Sequence, residues 1–145
     1  MILEIATSVG FVTGKAERFY PGESYVNWIG ADGYNWAPTR PGDRWRSFSE
    51  IFSGFYQWAA HQDKPLLVAE FGTDEGGPGA KASWFRQAGQ QLQQDFPRIK
   101  AVVYFNSQHK NFGLMFDWKI DSSPSSLAAF RALVNEPYFS ARPST

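Results

Sequence analysis

The chain has 145 residues, enough for one domain with a real core. Lysine plus arginine and aspartate plus glutamate number 14 each, so the formal net charge is zero, which argues against a nucleic-acid binder and against a membrane protein held by charge. No apolar run is long enough to span a bilayer, and the absence of cysteine removes any disulfide framework or thiolate metal site.

The first residues, Met1-Ile2-Leu3-Glu4-Ile5-Ala6, lack the charged start and long apolar middle of a secretory signal. The chain is expected in the cytoplasm unless an export signal lies on a segment outside it. Residues 2–6 suit a short strand. Thr7 to Gly22 is rich in glycine, threonine and charge and ends on the turn Tyr20-Pro21-Gly22. A strand is expected over Tyr25 to Asp32, followed by Gly33-Tyr34-Asn35-Trp36 and a proline- and arginine-bearing loop from Ala37 to Arg46. Ser47 and Glu50 then stand in capping-box relation, and Phe48, Ile51, Phe52, Phe55 and Ala59 fall on one helical face. His61 closes that helix.

Lys64-Pro65-Leu66-Leu67-Val68-Ala69-Glu70-Phe71-Gly72 follows, an apolar run opened by proline and closed by glycine. It reads as a strand buried on both faces with Glu70 at its end. Thr73 to Gly79 reads as a flexible loop with Asp74 and Glu75 in solvent. The next helix covers Lys81 to Phe96, with Trp84, Phe85, Ala88, Leu92 and Phe96 as its buried stripe, and Pro97 stops it. A strand over Ile99 to Phe105 delivers Asn106, and Ser107 to Asp117 reads as a loop carrying His109. The last helix takes Ser123 as cap and Pro124 at its first position, with Leu127, Phe130, Leu133 and Val134 inward. The tail from Asn135 is broken by proline and is expected to fray.

Strand, loop and helix thus alternate, which implies parallel strands with helical crossovers. In such a sheet Asp32, Tyr34, Glu70 and Asn106 reach one edge, where folds of this class place their chemistry. Asp32, beside Gly33, reads as a structural hydrogen-bond acceptor, and Asp117 and Asp121 as supports of the loop around Trp118. The aromatic share is 17%, with six Trp, six Tyr and thirteen Phe. Aromatics fill cores, and near loop ends they also suit a cleft in which sugar rings stack. Neither histidine, His61 or His109, has a ligand partner at usable spacing, and no metal or organic cofactor is implied.

Four segments carry a resemblance: Tyr25 to Asn35, Val68-Ala69-Glu70-Phe71-Gly72, Ala101-Val102-Val103-Tyr104-Phe105-Asn106, and Asp117 to Ser123. Together they resemble glycoside hydrolase family 26, which includes β-mannanases and some β-glucanases and xylanases. The similarity runs over residues 18–134, leaving 1–17 as an uncertain N-terminal segment and 135–145 as a tail. It implies the C-terminal half of a (β/α)8 TIM barrel, with the sixth, seventh and eighth strands and a possible remnant of the fifth in Ile2 to Ala6. A whole barrel takes about 250 residues.

By that resemblance Glu70 is the catalytic nucleophile of a retaining enzyme, and Tyr34 hydrogen-bonds it, keeping it ionised and aimed. Asn106, Trp36, Tyr104, Phe105 and Trp118 are candidate substrate-binding residues. The family's acid/base glutamate lies on the fourth strand, before this chain. The expectation is a fragment of an endo-acting enzyme on β-1,4-linked polysaccharide such as mannan or β-glucan, inactive by itself. Two other readings stay open: a carbohydrate-binding remnant, or a structural half-barrel that needs a partner chain. Family members are commonly secreted. Bare strand edges near Val26 to Ala31 and Val102 to Phe105 would favour self-association.

Overall fold

Leu66, Val68, Phe71 and Thr73 turn one face of a single strand into a buried surface, and the helices pack on it. The computed structural model describes residues 2–5 and 16–139. The element order is β1 (Ile2–Ile5), β2 (Trp28–Asn35), α1 (Phe48–Ala59), β3 (Leu66–Thr73), α2 (Ala80–Gln94), β4 (Ile99–Tyr104), β5 (Gln108–Asn111), β6 (Leu114–Asp117) and α3 (Pro124–Val134). Strands β1 to β4 form one sheet in sequence order, every pair parallel. Strands β5 and β6 form a separate antiparallel hairpin. This is an α/β fold with a parallel sheet, as the alternation predicts. None of the described helices is long and apolar enough to cross a membrane.

The capping box at the start of α1 is complete. The Ser47 hydroxyl accepts from the Glu50 amide at 3.2 Å, and the Glu50 carboxylate accepts from the Ser47 amide at 2.8 Å. That backbone bond, then the Arg44 side chain, hold the Glu50 carboxyl down at about 2. The expected face of Phe48, Ile51, Phe52, Phe55 and Ala59 is fully buried. At the other end Arg98 donates to the carbonyls of Ala60, Gln62 and Lys64, satisfying groups a helix terminus leaves open. His61 lies there too, its Nδ1 2.8 Å from the Gln57 carbonyl.

Between sheet and helices the core is mainly aromatic. Phe48 packs on Phe52, Phe71, Trp84 and Phe96, with ring centroids 4.6 to 6.2 Å apart. Each such side chain contributes about 1.5–3 kcal/mol by leaving water. Trp84 also donates its Nε1–H to the Arg46 carbonyl at 2.8 Å, which fixes the end of the loop between β2 and α1.

Several expectations are corrected. Strand β2 begins at Trp28, because Glu23–Tyr25 folds as a 3-10 turn, and it runs on to Asn35, so Tyr34 lies within the strand. The segment expected as a loop from Ser107 to Asp117 is largely the β5–β6 hairpin. Its turn is made by Phe112 and Gly113, at φ of 50° and 78°, the left-handed pair that tight hairpins use. On α3 the fully buried side chains are Ser126, Ala129 and Leu133, while Leu127 and Phe130 are half-buried and Val134 is exposed. The segment Val26 to Ala31 is not an edge, since β1 pairs with β2 along Trp28 to Ala31. The open edge at the C-terminal side is β4, where Val103 is 52% exposed. A groove of about 640 Å³ runs beside it, lined by Leu92, Ile99, Val102, Val134, Tyr138 and Phe139 among others. The expectations for residues 7–15 and for the tail beyond 139 fall outside the described residues.

Gly33 lies where β2 presses on α1. A Cβ there would come within 2.5 Å of Ile51 Cγ2 and 2.9 Å of Phe52 Cζ, whereas at Gly30 the nearest atoms would be 3.5 to 3.6 Å away. Gly33→Ala is expected to cost about 1–3 kcal/mol. Gly30→Ala should be neutral or stabilise by up to about 1 kcal/mol. Urea unfolding of the two variants checks this, and equal effects would contradict the packing described.

Candidate active site

Side chains alternate along a strand, so Leu66 and Val68, both fully buried, would carry Glu70 with them toward the helices. The structure avoids this with one extra residue. Ala31 pairs with Val68 and Asp32 pairs with Glu70, leaving Ala69 without a register partner on β2. The same step shows on the other side, where Val68 pairs with Val102 and Phe71 with Tyr104. This bulge turns Phe71 into the helix-facing core and Glu70 to the opposite face, a use of bulges common beside active sites. Tyr34 lies on that same face of β2, in register with Gly72.

The Tyr34 hydroxyl donates a hydrogen bond to Glu70 Oε2. Its ring is stacked against the Trp118 indole, with centroids 4.3 Å apart and planes 16° from parallel. Trp36 stands 5.3 Å from Tyr34 and 5.1 Å from Trp118, and Phe105 meets both edge-on at about 6 Å. His109 meets Trp118 edge-on at 4.8 Å and lies nearly parallel to Phe116. Arg40 lies over the Trp36 ring at 5.5 Å and reaches toward Phe112 at the hairpin tip. Gly72 lies close against the stack: a Cβ there would come 3.1 Å from the Trp118 ring and 3.2 Å from that of Tyr34, so the rings would have to give by a few tenths of an ångström.

The expected site residues therefore divide. Glu70, Tyr34, Trp36 and Phe105 come together, all partly exposed. Trp118 belongs to the same cluster but is 1% exposed, a backing to Tyr34 rather than a surface. Tyr104 points the other way, packed on Phe71, Phe85 and Phe130, with its hydroxyl 3.4 Å from the Thr73 carbonyl. Burial pushes its phenol well above the ordinary tyrosine value. Asn106 accepts from the Ile120 amide at 2.9 Å and so ties the loop after β6 to the end of β4. Asp32 is the register neighbour of Glu70, which places a second carboxylate beside it.

Asp74 and Glu75, expected in solvent, are instead structural. Asp74 is 4% exposed and accepts from the Asp117 amide at 2.6 Å. Glu75 receives the hydroxyls of Ser122, Ser123 and Ser126. Burial works against its charge, but the three hydroxyls, Ser126 foremost, outweigh it and leave the carboxyl below its ordinary value. Lys81, the missed member of this network, is fully buried beside them. Its signal was present: Lys81 falls in phase with Trp84, Phe85 and Ala88, and helical periodicity alone places it inward. Among the described residues no group of three or more His, Cys, Asp or Glu is placed to hold a metal ion.

No protein-family model matches the chain. Over 116 residues it is 39% identical to Endoglucanase H of Acetivibrio thermocellus, a stretch that is 79% of this chain and 12% of that protein. The chain is thus similar to a glycoside hydrolase and spans only a small part of that relative's length.

The Glu75 site sets a pH dependence. Its folded pKa lies below the ordinary 4.5, so its contribution is present above that value and is lost as pH falls through the lower folded one. Glu75→Gln should cost about 1–2 kcal/mol at neutral pH. The gap between the two proteins should narrow steadily below about pH 4.5. Denaturant midpoints measured across the acid range provide the check, and a gap independent of pH would contradict it.

Proposed function

We propose that the chain is the C-terminal part of the catalytic domain of a retaining, endo-acting glycoside hydrolase of the family 26 type. Glu70 is its nucleophile. The observation that carries this reading is the Tyr34 hydroxyl on the Glu70 carboxylate, at the C-terminal ends of parallel strands and beside half-buried aromatics. In this reading β1 to β4 are the fifth to eighth strands of a (β/α)8 barrel. Their sequential order, the helices on one face and the carboxylate at the strand ends support it.

In the reaction a Glu70 oxygen attacks the anomeric carbon as the glycosidic C–O bond breaks. The leaving oxygen takes a proton from a carboxylic acid supplied outside these 145 residues. Water, deprotonated by that same group, then releases the sugar from the glycosyl ester. Tyr34 holds Glu70 in the attacking orientation, and Trp36 and Phe105 offer ring faces to the substrate. The substrate class is β-1,4-linked polysaccharide. The name of the relative puts β-glucan ahead of mannan as the first to assay.

Within a complete catalytic domain, Glu70→Gln should cut turnover on β-glucan by several orders of magnitude and leave thermal unfolding unchanged. Retention of more than about a tenth of the rate, a barrier change within 1.4 kcal/mol, would remove Glu70 from this role. The chain alone should bind β-linked oligosaccharides in calorimetry without releasing reducing ends.

Among the described residues no strand pairs with the outer edge of β4, where Val103 is half-exposed. We expect the isolated chain to self-associate there. Light scattering on a chromatography column should show a concentration-dependent mass, reduced by Val103→Lys. A monodisperse monomer at high concentration would refute it.

A further inference from the structure

Lys81 is 0% exposed. A buried ammonium is tolerated only when its protons find acceptors and its charge finds partners. Lys81 meets both needs. Its Nζ donates to the carbonyls of Asp117 at 3.1 Å and Lys119 at 2.7 Å, and to the Ser122 hydroxyl at 3.0 Å. Three protons have three acceptors. Burial pushes its pKa down, while the carboxylates of Glu75, Asp117, Asp74 and Asp121 pull it back up.

The two carbonyls that Lys81 holds are those on either side of Trp118. The Trp118 amide itself donates to the Ser107 carbonyl at 2.9 Å, and the Asp117 amide donates to Asp74. The backbone around Trp118 is therefore fixed from α2, from the loop after β3 and from the start of the hairpin. The indole has no such tie, since its buried Nε1 has no hydrogen-bond partner among the described residues. Packing and the backbone alone set where that ring lies, and the ring it lies against is Tyr34.

We propose that Lys81 is a positioning residue for Glu70, acting through the backbone of Trp118 and the ring of Tyr34. Loss of the ammonium frees two part-buried carbonyls, the residue 117–119 backbone shifts to satisfy them, Trp118 moves off Tyr34, and the phenol leaves its place on Glu70. This rests on Glu70 as the reacting carboxylate, but its readout does not, because it follows the Tyr34 ring.

The chain has no cysteine, so Lys81→Cys introduces a single thiol. Alkylation of the unfolded variant with 2-bromoethylamine, followed by refolding, rebuilds a lysine-shaped cation at that position alone. In protein carrying 13C-labelled tyrosine, the Tyr34 ring protons, identified by Tyr34→Phe, should be shifted upfield by the indole. They should move downfield in Lys81→Cys and return after alkylation. Tyr104, packed on the opposite face, is the internal control and should stay in place throughout.

Tyr34 signals unmoved in folded Lys81→Cys would overturn the proposal. So would Tyr34 and Tyr104 moving together, which marks a general loosening. Should Lys81→Cys not fold, Ser122→Ala removes only one acceptor, and Tyr34 must then move in part or the proposal fails. Tyr34 responding as expected while Glu70→Gln still hydrolyses would leave this linkage standing and end the reading of Glu70 as nucleophile.

Discussion

Position 72 is crowded by the stacked rings of Tyr34 and Trp118, which a side chain there would push apart by a few tenths of an ångström. One ring comes from the neighbouring strand and one from the loop after β6, and a single methyl would meet Trp118 at 3.1 Å and Tyr34 at 3.2 Å. Contacts that close force neighbours to give way. The glycine is followed by Thr73 and Asp74, both buried, so the chain cannot swing aside to relieve the crowding. The site is thus assembled around a gap in the side-chain row of β3. Three residues earlier the bulge at Ala69 turns Glu70 toward the same space. Without the bulge the carboxylate would point into a core of phenylalanine; without the gap the rings behind it would have to shift by a few tenths of an ångström.

Charge is handled locally. The chain is neutral as a whole, yet Asp74 and Lys81 lie buried and Glu75 half-buried within one region, held to serines and to the backbone of residues 117–119. Such a network adds little net stability over an apolar filling, because each charge has first to leave water. What it supplies is a directed set of bonds. A loop with little apolar content cannot be placed by packing alone, and here it is placed by a cation and two carboxylates.

What was legible in the sequence was local. The face and cap of α1 follow from residues three and four apart, so Ser47, Glu50 and Phe48 to Ala59 are found as expected. The parallel order follows from the alternation of elements, and Glu70 at a strand end from the proline and glycine that bound the run. The rest depends on distant partners. Asp74 and Glu75 follow a glycine and read as solvated, but the groups that bury them lie 43 and 51 positions onward. The two aromatics before Asn106 look alike in sequence, yet Tyr104, the last residue of β4, faces the helices and Phe105, just past it, faces Glu70's side. The bulge leaves no mark that a period of two can show.

The order of the sheet bears on how the chain acquires its shape. Ile29 pairs with Leu66 and Leu66 with Ile99, so each strand docks on the one made just before it. The β2–β3 and β3–β4 pairings each close one strand–helix loop between neighbouring stretches of the chain. During synthesis β2 and α1 can settle as β3 emerges, and β3 with α2 before β4 appears. Trp118 and the serines around it come after these strands in the chain. The core can therefore be in place first, and the phenol–carboxylate pair gains its backing only once residues 117–126 have followed it.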